Sequence, residues 1–190
     1  RDCLLSRGLG DVYKRQENDA RVEILRVDAE ELEEKGAEAL IGSVDGLLVP
    51  GGFGDRGIEG KIQAVQYART KGIPFMGICL GMQIAVIEFC RNVCGIKDAN
   101  SGEFDEYGLH KVIDFMPGQS EDIDKGGTLR LGGYPCAIAT GTTMARCYGS
   151  TQIRERHRHR YEFNNDYREA MQAAGLTMSG LSPDGRLVEA

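Results

Sequence analysis

The stretch Pro74-Phe75-Met76-Gly77-Ile78-Cys79-Leu80-Gly81-Met82-Gln83 places a cysteine where a short apolar run gives way directly to a helical pattern. A sharp strand-to-helix turn holds its central side chain up at the carboxyl end of the sheet, where α/β proteins build their sites. Gly77 and Gly81 stand two residues either side of Cys79, as expected where neighbouring backbone must pass close to the turn. A thiol at a helix N-terminus also sees the positive end of the peptide dipoles, which favours thiolate, the attacking species. The spacing predicts a nucleophilic cysteine without naming its substrate, since the same pattern fits several α/β hydrolases.

A second candidate is the glycine-rich run Pro50-Gly51-Gly52-Phe53-Gly54-Asp55-Arg56-Gly57, which also follows an apolar strand. Such a loop exposes backbone N–H groups that can bind phosphate or an oxyanion. It lacks the Gly-Lys-Ser/Thr ending of a Walker loop and misses the dinucleotide spacing, so an oxyanion hole fits it better. A plain turn is the ordinary alternative. The run of residues 154–160 is rich in arginine. If it is extended, Arg154, Arg156, Arg158 and Arg160 share one side, with His157, His159 and Tyr161 on the other.

The elements expected to position these residues alternate. Residues 22–27 read as a strand, 29–41 as one Glu-rich surface helix, 47–49 as a strand, and 58–68 as a helix ending near Gly72. Residues 74–78 form a second buried strand and 80–93 a deeply buried helix. The order implies an α/β fold, a parallel sheet sandwiched between layers of helices. Beyond it, 98–106 reads as a polar loop, and 126–131 and 134–139 as strands. Residues 166–174 read as a helix stopped by Gly175, and 177–181 with 186–188 as a hairpin about Pro183-Asp184-Gly185.

Composition narrows the class. The chain has 190 residues, 41% of them hydrophobic and 27% charged, which suits one globular domain. A net charge of −6 argues against nucleic acid or a membrane surface as partner. No apolar run approaches the roughly 18 residues of a membrane span. The six cysteines form no CxxC pair and no zinc-type cluster with histidine, so no metal site is expected. Without a signal peptide the expected location is cytoplasmic, with reduced thiols. Cys90, Cys94, Cys136 and Cys147 are read as small buried hydrophobes. Residues 1–16 fit nothing that follows and are expected to be a non-native or disordered leader, leaving 17–190 as the domain.

Taken together, these segments resemble the class I glutamine amidotransferases, and most closely the glutaminase domain of the CTP synthase family. The two glycine-bearing motifs, Leu48 to Gly54 and Gly77 to Gln83, match many amidotransferases. Asn100-Ser101-Gly102-Glu103-Phe104, Gly126 to Gly132, and Glu155-Arg156-His157-Arg158-His159-Arg160-Tyr161-Glu162 are the discriminating matches. The resemblance implies a flavodoxin-like three-layer fold in which Cys79 forms a γ-glutamyl thioester. It implies that the N–H groups of Gly52 and Leu80 hold the oxyanion, with Gly81 and Met82 beside them. Gln83, Glu103 and Arg160 would bind the L-glutamine backbone: Glu103 suits an α-ammonium, and the forked Arg160 an α-carboxylate.

The same resemblance places the catalytic histidine and its glutamate in a His-Pro-Glu motif beyond Val188-Glu189, so the domain is expected to be incomplete at its C-terminus. His110, His157 and His159 are not followed by Pro-Glu. A synthetase domain of the same parent chain, carrying ATP and Mg2+, is expected outside this sequence, and no cofactor inside it. A tetrameric homo-oligomer and activation by GTP are further implications. Other readings are a GMP or carbamoyl-phosphate synthase subunit, a stand-alone cysteine hydrolase or peptidase, and a degenerate module that only binds a ligand.

Overall fold

The computed structural model describes residues 19–115 and 130–190. The leader expected over 1–16, Cys3, and the strand start expected at 126–129 lie outside the described residues.

The first half is layered as expected. Helices α1 (Ala29–Lys35) and α2 (Ala37–Ile41) precede β1 (Leu47–Val49). Helix α3 (Ile58–Lys71) then crosses to β2 (Phe75–Gly77), which runs into α4 (Leu80–Asn92). Strands β1 and β2 pair in parallel, Leu47 with Phe75 through Val49 with Gly77. The single helix expected over 29–41 is two, because Gly36 sits at φ 81° and ψ 154°, outside helical space, while its N–H closes α1 on the Leu32 carbonyl. Asp28 caps α1 by accepting the Glu30 N–H.

Residues 22–27 do not form the expected strand. Their pattern suits one, but no described strand lies alongside to take their backbone hydrogen bonds, and Val22, Ile24 and Leu25 are exposed.

The second half is mostly antiparallel. Strand β3 (Ala99–Ser101) lies within the expected polar loop and pairs in parallel with β4 (His110–Phe115), with a register shift between Asn100 and Ser101. Strand β5 (Arg130–Ile138) joins what the sequence divides into two. Helix α5 (Thr143–Tyr148) links it to β6 (Gln152–His159), which pairs with it antiparallel. After Arg160 the chain changes sheets, and β7 (Tyr161–Phe163) pairs antiparallel with β4. The sequence reading has no counterpart for β4, α5 or β7. A 3-10 turn at Asn165–Tyr167 leads into α6 (Arg168–Ala173), which stops at Gly175 as expected. Strand β8 (Gly180–Leu181) bridges to Val188, giving the expected hairpin.

The main core packs α4 between the parallel pair and the β3-β4-β7 sheet: Val49, Ile84, Ile87, Val112, Ile113 and Phe163 are all buried. The single charge buried on α4, Glu88, is met by Arg69 of α3 through three hydrogen bonds of 2.8–3.1 Å. Of the other thiols, Cys90 and Cys136 are buried as expected, Cys94 is half-buried, and Cys147 departs from expectation by lying exposed on α5. Burial pushes the Cys90 thiol up to about 11.

What positions the elbow is close approach of backbone. A Cβ at Gly81 would lie 2.1 Å from the Val49 carbonyl oxygen, and one at Gly77 would lie 2.5 Å from the Gly81 carbonyl. Helix α4 can start this close to β1 and β2 only without those side chains. Gly81→Ala is therefore expected to cost about 3 kcal/mol in denaturant melts. Gly72→Ala is expected to cost about 1 kcal/mol, since only its positive φ is strained. At Gly72 (φ 69°) an added Cβ would meet nothing within 4 Å. Equal losses at the two sites would contradict the packing argument.

Candidate active site

Cys79 occupies the N-cap of α4 at φ 53° and ψ −105°. It is one of two described non-glycine residues with positive φ, a strained conformation that the flanking contacts enforce. The Ile78 N–H donates to the Val49 carbonyl at 3.0 Å, which ends β2 against β1. The Cys79 carbonyl accepts from Met82 and Gln83 at 3.0 and 3.1 Å, which starts the helix. The thiol stands between these two events and is partly exposed.

The oxyanion candidates lie beside it. The Leu80 N–H lies near enough to the Cys79 thiol to favour its ionised form. A Cβ at Gly51 would lie 3.5 Å from the Cys79 Cβ, and one at Gly52 would lie 3.1 Å from Leu80 Cδ2, so the glycine-rich loop passes directly over the elbow. Among the described residues no hydrogen bond occupies the Gly52 N–H. Gly81 and Met82 form the first turn of α4 with Gln83, Gly81 serving packing rather than offering a free side chain.

The electrostatics differ from the expectation of a ready thiolate. Burial pushes the Cys79 thiol above its ordinary value, and the Glu103 and Glu162 carboxylates push it further in the same direction. The Leu80 N–H pulls it down without reversing the balance. Desolvation and two negative charges thus outweigh the Leu80 N–H at this thiol.

Glu103 is close enough for its charge to reach Cys79. It is carried on the turn after β3, where its N–H donates to Ser101 Oγ at 3.1 Å and the neighbouring Gly102 N–H donates to the Ile113 carbonyl at 2.8 Å. Gln83 is buried, and its Nε2 donates to the Tyr161 carbonyl at 3.2 Å, so it holds the strand that follows Arg160. The Arg160 guanidinium carbon lies 5.1 Å from the Tyr161 ring centroid and 5.7 Å from that of Phe115, and those two rings stack at 4.6 Å. The expected alternation holds for Arg154, Arg156 and Arg158, which are exposed, but Arg160 falls in the break after β6 and is half-buried.

Glu162 is the site residue that sequence reasoning passes over. It lies in the quoted run, yet nothing in its spacing shows that the change of sheet carries it toward Cys79. His110 is occupied elsewhere, its Nδ1 3.0 Å from Tyr167 Oη, and His157 Nε2 lies 3.4 Å from Glu189 Oε2. No group of three or more His, Cys, Asp or Glu side chains suited to a metal ion occurs among the described residues.

Glu103→Gln removes one of the charges that push the Cys79 thiol up. Alkylation of Cys79 by iodoacetamide, followed by peptide mass spectrometry, is expected to reach half-maximal rate at lower pH in this variant. Glu59→Gln, on the exposed side of α3, should leave the profile in place. An unmoved profile in Glu103→Gln would show that the carboxylate does not act on the thiol.

Comparisons with known proteins agree with this geometry. The family model described as glutamine amidotransferase class-I matches residues 11–190. A CTP synthase of Carboxydothermus hydrogenoformans is 58% identical over 172 residues, covering 90% of this chain and 32% of that protein. A CTP synthase of Syntrophus aciditrophicus is 54% identical over 188 residues, covering 99% of this chain and 34% of that protein. The chain thus spans about a third of the length of the curated relatives it matches. A solved structure described as the Trypanosoma brucei CTPS glutaminase domain with bound acivicin superposes with a TM-score of 0.88 at 41% identity, over 99% of this chain and 74% of that one. The elbow, the glycine-rich loop and the matched span together place the chain: it belongs to the class I glutamine amidotransferase family.

Proposed function

We propose that the chain is the glutamine-hydrolysing part of a CTP synthase, with Cys79 as nucleophile. The observation that carries this reading is the elbow itself: a strained Cys79 at the N-cap of α4, under a glycine-rich loop. A base removes the thiol proton, and the thiolate attacks the side-chain amide carbon of L-glutamine. The N–H groups of Leu80 and Gly52 hold the oxyanion. The C–N bond then breaks, the nitrogen takes a proton from the protonated base, and ammonia leaves a γ-glutamyl thioester. Water hydrolyses the thioester to glutamate and restores the thiol.

Glu103 takes the substrate's α-ammonium and Arg160 its α-carboxylate, so the site offers one partner of each sign. Gln83 acts by holding Tyr161 beside them. The resemblance to the family implies that the base is a histidine of a His-Pro-Glu motif; His110 is bonded to Tyr167 and His157 is paired with Glu189, and neither is followed by Pro-Glu. The parent chain would add a synthetase domain that binds ATP with Mg2+ and uses the ammonia to convert UTP to CTP. Activation by GTP, a tetrameric parent and a cytoplasmic location belong to the same proposal. No helix among the described residues is long and apolar enough to cross a membrane.

In the full-length parent chain, Cys79→Ala is expected to lower glutamine-dependent CTP formation by about 10⁴-fold or more. CTP formation from added ammonium should persist, because only ammonia supply is lost. Arg160→Ala should raise KM for glutamine by about 10- to 100-fold through loss of a charge-assisted pair. Loss of both ammonia-dependent and glutamine-dependent synthesis in Cys79→Ala would remove the assignment of Cys79 to ammonia supply alone.

A further inference from the structure

Arg130 stands at the point where the chain changes sheets. It is the first residue of β5, and its backbone partner in β6 is His159, the last residue before the break at Arg160. Its guanidinium spans that break. Nη1 lies 3.4 Å from Glu162 Oε1 and donates to Glu189 Oε2 at 2.9 Å, while Nη2 bonds Glu189 Oε1. The Arg130 guanidinium carbon also lies 4.5 Å from the Tyr134 ring centroid. The side chains of Arg130, Glu162 and Glu189 are 4%, 3% and 4% exposed, so the cluster is removed from water. Arg130 therefore fixes positions 159 and 162, one through the ladder and one through its side chain, with Arg160 and Tyr161 between them.

The rest of that short segment is held from the other side. Gln83 takes the Tyr161 carbonyl, and the Tyr161 ring stacks on Phe115. A buried ion cluster is weak evidence for stability, since packed apolar side chains often serve as well. This one also leaves the buried Arg130 Nε without a hydrogen bond among the described residues. What a forked cation between two carboxylates supplies is direction: it fixes where the backbone on each side of the break must run.

We propose that Arg130 is a positioning residue for Arg160, holding the sheet-switch segment so that the Arg160 guanidinium is set to receive the substrate's carboxylate. The ligand in this statement rests on the glutamine reading, whereas the positioning does not. Arg130 touches no reacting atom and acts through the backbone at positions 159 to 162.

The test uses the full-length chain carrying Arg130→Met, Arg130→Lys or the exposed control Arg154→Met. Two electrophiles label Cys79: diazo-oxo-norleucine, which carries an amino-acid carboxylate, and iodoacetamide, which carries none. Arg130→Met is expected to raise the half-saturating concentration of diazo-oxo-norleucine about tenfold, with the maximal labelling rate and the iodoacetamide rate unchanged when both are read on the high-pH plateau, where loss of the cation beside Glu162 no longer affects thiol ionisation. Arg130→Lys should recover part of the loss. In an Arg160→Ala background, Arg130→Met should add nothing further. An undiminished effect there, or an equal slowing with iodoacetamide, overturns the proposal by showing that Arg130 supports the fold at large.

Amide hydrogen exchange at residues 160–162 gives a readout that needs no ligand. It should accelerate in Arg130→Met and not in Arg154→Met. If the unmutated protein shows no saturable labelling by diazo-oxo-norleucine, the glutamine reading fails, and exchange alone decides the positioning role. Unchanged exchange overturns it. Should Arg130→Met not fold, Arg130→Lys, which keeps the charge but not the fork, carries the same readouts.

Discussion

The contact between Gly81 and the Val49 carbonyl is the constraint on which the site depends. With room for only a hydrogen there, α4 starts against the ends of β1 and β2, and the one residue left to make the turn takes φ 53°. That residue is Cys79. The strain is held by hydrogen bonds on both sides, Ile78 to Val49 before the turn and Gln83 to Cys79 after it. The loop through Gly51 and Gly52 passes over the same elbow, so the thiol and the Gly52 backbone lie close together.

Geometry and electrostatics pull apart at this point. The elbow presents the sulfur beside the Leu80 N–H, yet burial and the charges of Glu103 and Glu162 push the thiol above its ordinary value. A carboxylate that lies this close to a thiol lowers its acidity, whatever else the carboxylate does.

What was legible in the sequence follows from how local each constraint is. Gly77, Gly81 and Gly72 act on neighbours a few residues away or on one adjoining strand, and the elbow, α3 and its stop are found where the pattern puts them. Gly36 carries an equally local signal, but the run of helix formers around it outweighs it. Residues 22–27 have a strand's pattern, yet a strand exists only with a partner, and no described segment supplies one. The network of Arg130, Glu162 and Glu189 is hidden for a different reason: its members are 32 and 59 positions apart and meet only because the chain changes sheets. Family resemblance singles out Arg160; periodicity alone groups it with its exposed neighbours.

That grouping fails for a physical reason. Along β6 the pleat and the ladder with β5 fix each side chain's direction, and Arg154, Arg156 and Arg158 go to solvent. At a break between sheets the pleat no longer decides, so the residue there takes the direction its flanking anchors permit. Arg160 is half-buried against Tyr161 and Phe115, and those rings belong to the core that surrounds α4. A cation can be brought in from an otherwise solvent-facing arginine series by ending the strand one residue before it. The cost is a backbone left without a ladder, and the anchors at Gln83 and Arg130 are what such a segment requires.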